Sequence, residues 1–371
     1  MGSSGGAPRV DPRRCSPKAR RSERGGVISP RLVARARCPD CHAGLIDTGG
    51  GITCRGCRRR FDRAGNDYLD LRPSVAFAEQ TKYMDEALHA DARHETVSPP
   101  LLSARIRNDM LRGFLRPARG DRIVDLGCGS GRVLLWNQDA GADVVGVDAS
   151  PFFAGEARER MDLVLGDLRN LPFDDRAFTK AYALDVLEHL SRPALEEMLR
   201  ETSRVLAPGG ALFVYSHVKR NAPIAGGLRL INRLAERLEQ TGIIDLSQER
   251  LRKSDHMNPI ADIPDLEAIV QRAGFRIEKI RYYTPLVGGF VENILMRVGE
   301  GMLGRWMKRR APGSAAPASR LARTDAKERV ARHGTLYLAL RGVTWVMRLD
   351  LVLFGRIRSG PFFALLVKDR Q

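Results

Sequence analysis

Between residues 121 and 217 the chain alternates short apolar runs with stretches of helical periodicity. Ile123, Val124 and Leu126 make the first run, ADVVGVDAS contains the second, and MDLVLGDLRNLPF carries a third that ends at Asp167. FTKAYALDVLEHL supplies a fourth, running into Asp185, Glu188 and His189. LSRPALEEMLRETSRVL then reads as a helix, and a Pro-Gly-Gly turn leads to a fifth run, ALFVYS. Strands alternating with helices at this spacing predict a parallel, doubly wound sheet. Ligands of such a sheet sit beyond the carboxyl ends of its strands. Helices are expected to open at about Ser130, whose short side chain suits a cap, and near Pro151.

A sixth strand is expected over about 275–283, and SGPFFALLVKD at 359–369 fits a last one. The seventy-odd residues between them are patterned as helices. In 286–307, Val287, Val291, Ile294, Val298, Met302 and Trp306 recur at helical spacing; in 335–354, Leu336, Leu340, Val343, Met347, Leu351 and Phe354 do the same. Arg341 and Arg348 stand off the second stripe, and APGSAAPASR is a Pro/Ala/Ser loop between the two segments. Charges interrupt each segment too soon for a membrane span. Either the helices pack as a lid on the core, or their apolar faces shape a greasy acceptor site or rest on a membrane.

The polar residues that punctuate the strands carry the candidate chemistry. DRIVDLGCGSG places Gly127, Gly129 and Gly131 at alternate positions after a strand, where backbone can approach a ligand closely. This spacing is not the Gly-x-Gly-x-x-Gly of nicotinamide-binding turns. Asp148, 23 residues after Asp125, ends the second strand, where an acid can accept both ribose hydroxyls of an adenosine ligand.

Upstream, Cys38, Cys41, Cys54 and Cys57 form two Cys-x-x-Cys knuckles separated by twelve residues. Two such pairs converge on a tetrahedral ion, and four thiolates make a closed, structural zinc site. Gly49, Gly50 and Gly51 suit the hairpin reversal between the pairs, and Gly44 and Gly56 suit the knuckle turns. Six cysteines in 371 residues are too few and too clustered for a disulfide scaffold. With no apolar signal segment at the start, a reducing cytoplasm is the expectation.

Net charge is +17 and unevenly placed. Residues 1–72 carry 16 Lys/Arg against 7 Asp/Glu, residues 301–371 carry 15 against 4, and the middle is nearly neutral. Basic ends suit an anionic partner, either nucleic acid or an acidic membrane surface. The apolar fraction of 43% supports a true core.

VDLGCGSG, VVGVDAS, GDLRNLPF, DVLEHL and RVLAPGG, in that order over 121–217, resemble a class I S-adenosylmethionine methyltransferase. The four cysteines with the exit YLDLRP resemble the zinc ribbons that accompany such domains, including a small activator subunit of tRNA and rRNA methyltransferases. The resemblance implies an α/β, Rossmann-like, seven-stranded fold with an N-terminal zinc ribbon and a helical insertion before the last strand. The implied organisation is a disordered basic leader (1–30), the ribbon (31–73), N-terminal helices (74–118), the cofactor-binding core (119–283), the helical lid (284–358) and the last strand (359–371).

Carried over position by position, Asp125, Gly127, Cys128, Gly129 and Gly131 would hold the methionine portion of the cofactor. Asp148 and Ala149 would hold the ribose, and Asp167 with Leu168 the adenine. Tyr83 would close over the cofactor. His189 is the candidate base, Asp185 its alternative nearer the methionine end, and His256 a residue of the acceptor site. No Asn/Asp-Pro-Pro-Tyr/Phe motif ends the fourth strand, where ALDV stands, so the domain resembles small-molecule and quinone-type enzymes more than base N-methyltransferases. The expected acceptor is therefore a small or lipid-like molecule, methylated on oxygen or carbon in the cytoplasm or at a membrane surface. An RNA methyltransferase gripping phosphates with the ribbon and basic ends, and an inactive binding partner, are the alternatives.

Overall fold

The computed structural model describes residues 28–49, 51–61, 67–75, 97–219, 225–247, 250, 256–310, 326, 330 and 334–370. Tyr83 and the rest of 76–96 lie outside the described residues, as does the leader through residue 27.

Three short strands, β1 (Leu45–Asp47), β2 (Ile52–Cys54) and β3 (Arg60–Phe61), form an antiparallel sheet at the ribbon. The main sheet contains β4 (Leu69–Asp70), β5 (Arg122–Leu126), β6 (Asp143–Asp148), β7 (Asp162–Leu165), β8 (Phe178–Leu184), β9 (Leu206–His217), β10 (Phe275–Tyr282) and β11 (Pro361–Lys368). Their spatial order is β10-β11-β9-β8-β5-β6-β7-β4. β11 runs antiparallel between β9 and β10, and every other pairing is parallel. The chain order reverses between β5 and β8, and that is the switch point of the doubly wound sheet.

Among the described residues the main sheet has eight strands where seven were expected. The additional one comes from the ribbon's exit, where Leu69 and Leu71 are fully buried and the Leu71 N–H donates to the Leu165 carbonyl at 2.8 Å. An exposed β7 edge would leave a row of unpaired backbone groups, and two apolar residues at the right distance from the ribbon cover it. The described residues begin inside the stretch read as leader. Ser29, within the stretch read as leader, is buried and caps helix α1 (Pro30–Arg35) by accepting from the Leu32 N–H.

The ribbon is continuous with the enzyme-like domain. Cys38, Leu45, Ile52, Cys54 and Phe61 share one apolar core with Val124, Val145 and Val164 of the parallel strands. Ala36 bridges to Phe173, the Arg37 N–H donates to the Pro172 carbonyl at 2.9 Å, and Arg35 pairs with Asp143 at 2.5 Å.

Helix α2 (Leu102–Leu115) covers one face of the sheet, followed in sequence by α3 (Arg132–Trp136) and α4 (Gly155–Arg160). Helix α5 (Arg192–Val205) shows how the pattern becomes packing. Ser191 caps it, and Leu195, Met198, Leu199, Thr202 and Val205 recur on one buried face. The strand after it starts at Leu206, so the Pro-Gly-Gly segment lies inside β9. There the register with β8 slips between Phe178 and Lys180, which makes the expected turn a bulge. Helices α6 (Ala225–Gln240) and α7 (Ile263–Arg272) precede β10.

Among the described residues the insertion is helical, as its periodicity implies, and the APGSAAPASR segment lies outside them. Helix α8 (Leu286–Phe290) runs through one wide turn (Val291–Leu295) into α9 (Met296–Arg310), and α10 (Thr335–Met347) runs into α11 (Leu349–Phe354). The anticipated stripes face inward only in part. Val291, Ile294 and Met347 are buried, but Met302 and Trp306 are exposed. Off the stripe, Arg348 is tied to Asp109 of α2. The outer face is apolar as well: Leu338, Trp345, Val346, Leu349, Val352 and Leu353 are exposed, with Trp345 at 69% and Val352 at 72%. Among the described residues no helix is long and apolar enough to cross a membrane.

Candidate functional site

β5 ends at Leu126 and the chain turns through a loop in which Gly127, Gly129 and Gly131 all have left-handed φ, +75°, +54° and +79°. Two of these positions are also sterically closed. A Cβ on Gly127 would lie 2.6 Å from Val186 Cγ2, and one on Gly131 would lie 2.7 Å from Ala157 Cβ. At Gly129 a Cβ would meet nothing within 4 Å, so the middle of the loop presents bare backbone to open space. The helix begins at Arg132 with Gly131 as its cap. Ser130, the expected cap, accepts the Ala154 N–H on its carbonyl at 3.0 Å and so ties the loop to the start of α4. That helix opens at Gly155, four residues beyond Pro151.

Asp148, at the tip of β6, brackets this loop. Its Oδ2 accepts from the Gly129 N–H at 2.7 Å, and its Oδ1 from Ser150 N–H and Oγ at 2.9 and 2.7 Å. A carboxylate has acceptor positions beyond these three, and Ala149 next to it is exposed. Asp125 is only 2% exposed, and its Oδ2 has no hydrogen-bond partner among the described residues. Burial, assisted by the nearby Asp148 charge, pushes its carboxyl well above the usual range. The Tyr182 hydroxyl lies near this carboxyl, and a buried oxygen still without a hydrogen bond, beside a bare glycine loop, fits a donor group of a ligand. Burial likewise pushes the Cys128 thiol up, so this side chain is packing and only its backbone faces the loop.

Beyond β7, Asp167 is engaged by its own loop: Arg169 pairs with its carboxylate at 2.8 Å, and the Arg169 N–H donates to it at 2.7 Å. Leu168 packs against the core. The adjacent Asn170 donates to the Pro39 carbonyl at 2.9 Å, so the ribbon braces this side of the site.

Beyond β8 and β9 lies a second group of side chains. Asp185 adopts left-handed φ, +56°, and pairs with Arg107 of α2. A non-glycine residue held there is strained, as functional loops often are. Arg107 lies over the Tyr215 ring, 5.4 Å from its centre. Although burial disfavours its charge, Asp185 holds it protonated.

Glu188 is 1% exposed. Its Oε2 accepts from Ser216 Oγ at 2.8 Å, and its Oε1 lies 3.5 Å from His217 Nε2. Burial, with the Asp185 charge second, pushes its carboxyl up to about 8. The Glu188 carbonyl accepts the N–H groups of Met257 and Asn258 at 2.8 and 3.1 Å, which docks the His256 loop. The rings of His189 and His256 then meet edge to face at 4.6 Å, and His217 lies 5.4 Å from His256.

Two of the three catalytic candidates, His189 and His256, are thus brought into contact, while Asp185 turns to Arg107. Tyr83 lies outside the described residues. Arg107 and His217 escaped the sequence reading. His217 had a signal, since it ends a strand at the carboxyl edge where such sheets bind ligands; Arg107 had none.

At the ribbon, Cys38 Sγ lies 3.6 Å from Cys57 Sγ and Cys41 Sγ lies 3.3 Å from Cys54 Sγ, with all four sulfurs within 4.8 Å of one another. Four thiolates at about 2.3 Å from one zinc would stand about 3.8 Å apart, so the cluster fits that ion. The left-handed knuckle positions are His42 and Arg58 in place of Gly44 and Gly56. Gly56 serves instead as a close approach, since its Cβ would lie 2.9 Å from Ala43 Cβ and 3.2 Å from Cys41 Sγ.

A parallel sheet with a glycine loop at its switch point and an acid closing the neighbouring strand defines a nucleotide-type cofactor domain of the α/β methyltransferase fold. A family model described as a methyltransferase domain matches residues 123–210, and the chain carries a class I S-adenosylmethionine methyltransferase domain. Curated relatives include a sterol 4-C-methyltransferase of Caenorhabditis elegans, 36% identical over 26% of this chain and 31% of that protein. The methyltransferase GfsG of Streptomyces halstedii is 28% identical over 43% of this chain and 60% of its own. A ubiquinone biosynthesis O-methyltransferase of Azorhizobium caulinodans is 31% identical over 42% of this chain and 59% of its own. The chain therefore spans between about a third and three-fifths of the length of these relatives.

Proposed function

We propose that the chain transfers a methyl group from S-adenosylmethionine to oxygen or carbon of a small, lipid-like acceptor, working at a membrane surface. The observation that carries this reading is the glycine loop, bare at Gly129 and bracketed to Asp148. In this reading Asp148 accepts the ribose hydroxyls beside Ala149. Asp125 meets the cationic amino group of the methionine portion, and the backbone of Gly127, Cys128, Gly129 and Gly131 lines it. Leu168 supplies an apolar contact to the adenine, and Asp167, held by Arg169, shapes that loop.

When bound, the cofactor supplies a methyl group already activated by its sulfonium charge. The protein's work is then alignment and exclusion of water. A hydroxyl acceptor must also lose a proton, and in this reading His189, in contact with His256 beyond β8, takes it. The Arg107–Asp185 pair fixes the start of the same turn.

Two observations support an apolar acceptor at a membrane. The insertion exposes Leu338, Trp345, Leu349, Val352 and Leu353 at helical spacing, with the exposed Arg341, Arg356 and Arg358 nearby in the chain. One relative is named for methylating a sterol and another for ubiquinone biosynthesis. An RNA acceptor finds less support at the ribbon. Arg59 is engaged by Asp40, and its guanidinium covers Phe61, which is only 3% exposed, so that ring offers no face for a base.

The test is transfer of labelled methyl into fractionated lysate. Label in the lipid or small-metabolite extract supports the reading, and label confined to RNA overturns the acceptor. Cofactor binding with no transfer to any fraction would indicate a non-catalytic partner.

A further inference from the structure

We propose that Glu188, His217 and His256 bind a divalent transition-metal cation at a second metal centre, separate from the four cysteines. Resting on the function proposed above, we assign this cation the task of holding an acceptor oxygen beside the methyl donor.

The donor set is one carboxylate and two imidazoles, with ligand atoms all within 4.8 Å of one another. Glu188 Oε1 and His217 Nε2 already stand 3.5 Å apart. Two ligands each about 2.1 Å from a shared ion lie about 3.0–3.4 Å apart, depending on the angle. His256, on a loop, lies within the same 4.8 Å and completes the set.

The three ligands come from three elements locked to one another. Glu188 sits on the turn after β8 and His217 at the last position of β9. The Met257 and Asn258 N–H groups pin the His256 loop to the Glu188 carbonyl. Ser216 Oγ occupies the far carboxylate oxygen at 2.8 Å, leaving Oε1 toward His217. Such outer hydrogen bonds orient metal ligands. A carboxyl 1% exposed is either protonated or paired with a cation, and a bound metal ion would hold Glu188 in its ionised form.

Three protein ligands leave coordination positions for substrate oxygen. The position in the fold gives those sites a use. Val186, which packs against Gly127 of the cofactor loop, lies two residues before Glu188. Nitrogen and oxygen donors without thiolate suit manganese, iron, cobalt or zinc, whereas the four-sulfur ribbon does not suit manganese.

That difference gives the experiment. Full-length protein with its ribbon zinc in place is titrated with Mn2+, and free Mn2+ is followed by electron paramagnetic resonance. One Mn2+ per chain is expected, with affinity about tenfold or more weaker in His256→Ala and in Glu188→Gln. Circular dichroism reports whether each variant is folded, and calorimetry with S-adenosylmethionine reads cofactor binding separately. If the buried Glu188→Gln fails to fold, His256→Ala decides alone, since its side chain is on a loop. Wild-type protein that binds neither Mn2+ nor Co2+ beyond the ribbon overturns the site, as do folded variants that bind like wild type. Absent cofactor binding with intact Mn2+ binding would instead sink the proposed function and leave the metal site standing.

Discussion

Gly127 and Val186 meet across the mouth of the sheet so closely that one added carbon on the glycine would sit 2.6 Å from Val186 Cγ2. The contact joins the loop after β5 to the turn after β8. It makes the glycine loop and the Glu188–His189 turn a single packed unit.

Gly127→Ala should therefore weaken S-adenosylmethionine binding by about a hundredfold, because both the clash and the left-handed φ oppose it. Adding Val186→Ala removes the clash but not the backbone strain, so the double variant should recover part of the affinity. Calorimetric titration measures both. A double variant no better than the single one would show that the contact is unimportant.

Asp148→Ala removes the acceptor bracket for Gly129 and the acid assigned to the ribose. Cofactor binding should become undetectable by calorimetry while circular dichroism stays near wild type. Unchanged affinity would refute the cofactor site.

Elemental analysis of fresh protein should find zinc, and Cys38→Ser should lose it. Cys38 and Cys54 share the core of the parallel sheet. Metal loss should then lower the midpoint of one cooperative thermal transition, without a separate early step for the ribbon. Two resolved transitions would mean that the ribbon folds by itself.

Trp345 and Val352 point outward, so Trp345→Ser with Val352→Ser should leave thermal stability nearly unchanged. If this face rests on lipid, the pair contributes about 3 kcal/mol of burial, and flotation with anionic liposomes should fall by about a hundredfold. Equal flotation of variant and wild type would remove the membrane from the proposal.

The parallel strands, the glycine loop, Asp148 and the four-cysteine knuckles were readable in the sequence because each is a local pattern. Apolar runs, alternate glycines and Cys-x-x-Cys pairs declare themselves within a few residues. Other features depended on distant segments meeting. His217 joined Glu188 and His256 only because β9 ends beside β8 and because the Glu188 carbonyl captures the loop carrying His256. Arg107 reached Asp185 from a helix before the sheet. Leu69 and Asp70 became an eighth strand because the ribbon's exit folds against the β7 edge. The insertion's periodicity announced helices, but which apolar face is buried was settled by packing against α2 and the sheet. Chain order thus determined the elements and the cofactor loop, and tertiary packing decided which polar groups were desolvated together beside it.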